Sequence, residues 1–72
     1  MWINVLERTP KNKKDVWVYN KKKKTIQVDY YINSDGGGWA KSYQNEISHW
    51  MPYETFNDLF RKGLLRKPNS DE

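Results

Sequence analysis

A chain of 72 residues with no cysteine must hold itself together by packing alone. A domain this short buries only about 60% of the surface its unfolded form exposes, so its core is thin. With no Cys there is no disulfide, and with one His there are too few ligands for a structural zinc site. Rings are what remain. The chain has four Trp, five Tyr and two Phe, and each such side chain can bury roughly 150–250 Å². Association into a homodimer is the other way to bury more surface, and the sequence leaves the oligomeric state open.

The apolar pattern is that of strands followed by one helix. Trp2 to Val5 alternates and reads as a short strand, ended by Arg8-Thr9-Pro10. Residues 15–19 form a second strand rich in β-branched and aromatic side chains, with Val16 and Val18 on one face and Trp17 and Tyr19 on the other. Residues 26–32 alternate cleanly, which predicts Ile26, Val28, Tyr30 and Ile32 inward and Gln27, Asp29, Tyr31 and Asn33 outward. These two strands make a hairpin across Asn20 to Thr25. Asn33 to Gly38 is a turn, Trp39 to Ser42 a short returning strand, and Ile47 to Met51 a last strand closed by Pro52. In that last strand Ile47, His49 and Met51 are expected inward, although the aromatic Trp50 argues for the reverse.

From Tyr53 the period changes. Phe56, Leu59, Phe60 and Leu64 fall on one helical stripe, with Thr55 as the expected N-cap, Asp58 three residues on, and Gly63 as terminator. The predicted fold class is therefore mainly β: a small, curled antiparallel sheet of four to five strands, with an SH3-like form open to it, and one C-terminal helix. One domain is expected over residues 1–66, with 67–72 as a frayed tail.

Charge is unevenly placed. Residues 8–24 hold eight cations against Asp15 alone, whereas residues 25–60 hold Lys41 against five carboxylates. Lys21, Lys22, Lys23 and Lys24 form an unbroken run. One reading is a patch for phosphates or an acidic protein. The other is solubility, since lysines at a hairpin tip discourage edge-to-edge aggregation. No apolar run approaches the ~20 residues of a membrane-spanning helix, and the N-terminus lacks the pattern of a signal peptide. The expectation is a soluble intracellular protein with no membrane contact.

Trp2-Ile3-Asn4-Val5, Arg8-x-Pro10, Val16-x-Val18-Tyr19, Tyr30-Tyr31, Gly38-Trp39 and His49-Trp50-Met51-Pro52 follow one another in an order and spacing that resembles the phage and prophage family called domain of unknown function 551. The likeness spans residues 2–52, and its most specific parts are the opening Trp-Ile-x-Val and the closing His-Trp-Met-Pro. Family members often end in a Pro-rich tail soon after that Met-Pro. This chain instead continues into a helical pattern, and its four-lysine connector is unusual. The resemblance implies a phage or prophage origin, hence the cytoplasm of a host cell, and implies no activity.

Chemistry has little to work with. His49 is the one candidate base, and Ser34, Ser42, Ser48, Asp29 and Glu46 show no spacing that gathers them around it. Gly36 to Ser42 superficially resembles a phosphate loop, but Ala40 precedes the Lys and a strand rather than a helix follows. No cofactor and no metal are expected. A binding role fits best. The leading expectation is a non-enzymatic accessory protein that binds and modulates a host protein, such as an inhibitor of a defence or nucleic-acid-processing enzyme. The alternative is a nucleic-acid or small-nucleotide binding module. Candidate contact residues are Trp17, Tyr19, Lys21 to Lys24 and Tyr31, with Phe56 and Phe60 on the helix.

Overall fold

The computed structural model describes residues 1–34 and 36–68. Its elements are β1 (Ile3–Asn4), β2 (Asp15–Asn20), β3 (Thr25–Ile32), β4 (Gly38–Trp39), a 3-10 turn (Gln44–Glu46), β5 (Ile47–Pro52) and α1 (Tyr53–Arg61). All strands pair antiparallel in one sheet of order β1-β5-β2-β3-β4. The sheet does not close into a barrel, and β1 and β4 are its edges. The mainly β class with one C-terminal helix is as the sequence predicts, and so is the β2–β3 hairpin.

Side chains alternate along a strand, so the register sorts the sheet into two faces. On the first, Val18 lies opposite Trp50, Trp50 opposite Ile3, and Tyr31 opposite Trp39. Val16, Val18, Trp39, Ile47 and Trp50 are buried there, and Ile3, Val5 and Tyr31 pack against them. Tyr31 and Trp39 meet edge to face at 5.1 Å. The Trp50 indole N–H donates to the Arg8 carbonyl at 2.9 Å, and the Arg8 guanidinium lies 6.0 Å from the same ring. The Arg8-x-Pro10 segment is thereby drawn over the core, with Pro10 buried.

On the second face Trp17 lies opposite Val28 and Met51, and Tyr19 opposite Ile26 and His49. Here α1 provides the cover. Phe56 stacks on Trp17 at 4.2 Å, and Trp2 meets both Phe56 and Tyr19 edge-on. Burial of one such ring stabilises by roughly 1.5–3 kcal/mol.

Three local expectations need correction. Asp29, expected outward, is fully buried, because it stands on the core face of β3 opposite Val16 and polar donors from residues 41–42 reach its side chain. His49 and Trp50 are both buried because β5 is an inner strand with α1 on one face and the Arg8 segment on the other, so no inward-or-outward choice exists in β5. Thr55 is not the N-cap. The strand runs directly into the helix, Pro52 is the cap residue and Thr55 lies in the first turn, with no side-chain cap bond. The helix does stop as expected. Gly63 takes φ +70°, its amide donates to the Phe60 carbonyl at 3.1 Å, and the Leu64 amide donates to the Leu59 carbonyl at 2.9 Å.

Candidate functional site

The lysine run is the four-residue turn of the β2–β3 hairpin, with Lys24 at φ +57°. Four adjacent cations repel, so the turn needs an anchor, and buried Asn20 supplies it. Its Nδ2 donates to Glu46 Oε1 at 3.0 Å, and its Oδ1 accepts from the Lys23 amide at 2.9 Å. The Lys21 amide donates to the Glu46 carbonyl at 2.8 Å. A register shift between Tyr19 and Asn20 brings the 3-10 turn under this hairpin end. Lys22 Nζ lies 3.9 Å from Glu46 Oε2, with the lysine largely in solvent, so this pair contributes at most about 1 kcal/mol. All four lysines are exposed, while Asp29 and Glu46 are buried. The solvent therefore meets a more basic molecule than the net charge of +4 suggests.

The chain after the helix joins this pole. The Trp2 indole N–H donates to the Arg66 carbonyl at 2.6 Å, and Lys67 Nζ donates to the Lys24 carbonyl at 2.9 Å. Residues 64–67 thus form a strap from the helix end to the lysine turn. Of the tail expected to fray, Lys67 is tied down in this way, and residues 69–72 lie outside the described residues. Asp35, in the predicted turn, does too.

Beside the strap stands an apolar ridge. Phe60 is 68% exposed and Leu64 56%, although the helical stripe predicts both against the sheet. The helix ends at Arg61 and the chain turns at Gly63, so Leu64 leaves the stripe, while Phe56 is buried, Leu59 half-buried and Phe60 left in solvent. Phe60 is stacked on Phe56, with centroids 6.5 Å apart.

The sequence-named contact residues therefore separate. Lys21 to Lys24 and Phe60 face solvent. Trp17 and Tyr31 are half-buried, Trp17 against Phe56 and Tyr53 and Tyr31 against Trp39. Tyr19 and Phe56 are buried, at 3% and 8% exposure, so neither ring is presented to a partner. The Trp17 indole N–H is buried without a hydrogen-bond partner, a cost of about 1–3 kcal/mol that its ring stacking offsets. Leu64, Arg66 and Lys67 belong to the candidate surface but were not singled out from sequence. Their only signal is a cationic pair after an apolar residue, and what places them is a contact with Trp2, 64 positions away.

The Asp29 carboxylate accepts from the Tyr30 amide at 2.7 Å, the Lys41 amide at 3.0 Å and Ser42 Oγ at 2.8 Å, and Gln27 Nε2 donates to the same Ser42 oxygen at 2.8 Å. Three of these bonds pin the segment after β4 and the Tyr30 bond fixes the carboxylate to its own strand, so the network is scaffolding. His49 is 8% exposed, and its Nδ1 lies 2.8 Å from Oγ of its neighbour Ser48. Among the described residues no group of three or more His, Asp or Glu is placed to hold a metal ion. No helix among them is long and apolar enough to cross a membrane.

Fold and surface together define a small open-sheet β domain with two covered faces, a basic hairpin end and an apolar ridge at the end of its helix and the start of the strap. Over residues 1–55 the chain matches the family described as protein of unknown function, DUF551, and it belongs to that family. The motifs that carry the likeness are largely the ones that build the first face: Trp50 on Arg8, Tyr31 on Trp39, and Ile3 opposite Trp50. No curated protein and no solved structure matches.

Proposed function

We propose that this protein is a non-enzymatic accessory protein of phage type that acts in the host cytoplasm by binding a host protein and modulating it, as an inhibitor of a defence or nucleic-acid-processing enzyme would. The observation that supports this reading is the exposure of Phe60 and Leu64, the second of them on the strap that Lys67 ties to the lysine turn. Large apolar side chains left in solvent beside charge mark protein contact surfaces.

Tagged full-length protein captured from host cells tests it. A single stoichiometric protein partner is the expected result, and co-purified nucleic acid or nucleotide would replace this reading with the other one. That second reading keeps one favourable observation, the addition of Lys67 to the Lys21–Lys24 turn. The rings that the sequence offers for stacking beside the lysines are not free for it, because Tyr19 is buried and Trp17 is half-covered by the helix. Binding to phosphates would weaken steeply with salt and would vanish when Lys21 to Lys24 are replaced by Ser.

A further inference from the structure

The strap and the helix enclose a groove of about 300 Å³, floored by Met51 and lined by Met1, Trp2, Leu59 and Leu64, with Arg66 and Lys67 at its rim. We propose that this groove is a docking site for an acidic peptide segment of a partner protein, one that anchors a large apolar side chain in the groove and sets carboxylates against the rim. This deepens the protein-binding reading and rests on it.

The groove has a fixed wall. The Leu64–Leu59 main-chain bond holds one end of the strap and the Trp2–Arg66 and Lys67–Lys24 hydrogen bonds hold the other, and the buried Met51 lies beneath the groove. Its volume suits one large apolar side chain, and Leu59 and Leu64 supply apolar walls. Its charge chooses the sign of what surrounds that side chain. No carboxylate lines the groove. Among the described residues the carboxylates in ion pairs hold Lys22, Arg61 and Lys62, leaving Arg66 and Lys67 unneutralised. Lys67 leads on to the exposed Lys21–Lys24 turn, so acidic residues running outward from the anchor meet cations along their way. A basic or uncharged apolar segment would fill the groove and leave that rim unmatched. A nucleic acid would match the rim and leave the apolar floor unused.

A displayed library of random short peptides, selected on the full-length protein, tests the proposal. Enrichment of peptides with a large apolar residue flanked by Asp or Glu is expected. Leu64→Ser, at an exposed position that the fold tolerates, should weaken a selected peptide about tenfold. Arg66→Glu should weaken it similarly, because Trp2 is bonded to the Arg66 main chain and the strap stays in place. Lys67→Gln, which keeps a donor for Lys24, should have a smaller effect of the same sign. Enrichment without acidic residues, no enrichment, or affinities unmoved by these variants would overturn the proposal. So would self-association that Leu64→Ser abolishes, which would assign the groove to a second copy of the chain. If a captured host protein still binds all three variants, the groove assignment fails and the protein-binding reading stands. If neither a partner nor peptides are recovered, both fail.

Discussion

The two faces of the sheet are closed by different means. The first is sealed by segments within residues 1–55: Arg8-Thr9-Pro10 lies over Trp50, and β4 brings Trp39 onto Tyr31. The second is covered by α1, most of which lies beyond the part of the chain that matches the family. The first cover leaves Trp39 and Trp50 nearly inaccessible, whereas the second buries Phe56 but leaves Phe60 in solvent. The first cover is tied to the sheet at separate points, by the Trp50 bond to the Arg8 carbonyl and by the pairing of β4 with β3. A single helix is attached at its ends and touches along one stripe. Both sheet faces are thus well buried, and what differs is that the cover of the second leaves apolar surface in solvent.

Truncating the first face should produce the largest effect. Trp50→Ala removes a ring at the centre of the core and the bond to the Arg8 carbonyl, which should cost about 3–5 kcal/mol. A domain of this length has a total stability on the order of 4–11 kcal/mol, so circular dichroism at growth temperature should show a partly or fully unfolded population. Phe56→Ala should cost less, about 2–3 kcal/mol, because its face is incompletely covered and can relax. Urea unfolding of both variants checks the order. If Phe56→Ala proved the more damaging, the contrast between the faces would be wrong.

Asp29 sharpens the comparison, since its network fastens the segment that follows β4. Asp29→Ala would strand the Lys41 amide and the Ser42 hydroxyl, at a cost of about 2–3 kcal/mol. Hydrogen exchange should report faster opening over residues 40–42 and little change in α1. Equal loss of protection in the helix would show that the two faces open together rather than separately.

This residue also shows where sequence reading stops. Strands β2, β3 and β5 were legible, as was their hairpin, because alternation and turn chemistry are local. The inward set of β3 was not. Ranking side chains by hydrophobicity places Asp29 in water, whereas its burial is decided by donors 12 and 13 positions away. Thr55 as N-cap failed because a strand running without a loop into a helix removes the usual capping site. Gly63 succeeded because a left-handed terminator depends on its own backbone. In the candidate site, the lysine turn could be read directly, and Phe60 was named as a contact although its stripe placed it against the sheet. The strap that joins them rests on Trp2 meeting Arg66, which no periodicity encodes.

Gly63→Ala is a smaller perturbation. A Cβ there meets open space, so the cost is conformational alone, about 1 kcal/mol from the left-handed backbone. It acts where the second face is secured, since the Leu59–Leu64 bond that closes the helix also starts the strap. The midpoint of thermal unfolding should fall by roughly 4–8 °C, with Trp50 fluorescence environment unchanged in the folded state.

The smallest stability effect belongs to the lysine turn. Replacing Lys21 to Lys24 by Ser removes the weak Lys22–Glu46 pair and, with it, the repulsion among four neighbouring ammonium groups. The first loss and the second gain are each no more than about 1 kcal/mol. The Asn20 bonds that shape the turn use the Lys23 main chain and Glu46, so they survive. Urea midpoints should therefore match those of the parent, while capture of an acidic partner should weaken and its association rate lose most of its salt dependence. Unchanged capture combined with unchanged stability would make the lysines a solubility device and confine recognition to the ridge and groove. A large loss of stability would instead mean that the charged turn is part of the architecture, and the division between a sealed structural face and an offered surface would have to be redrawn.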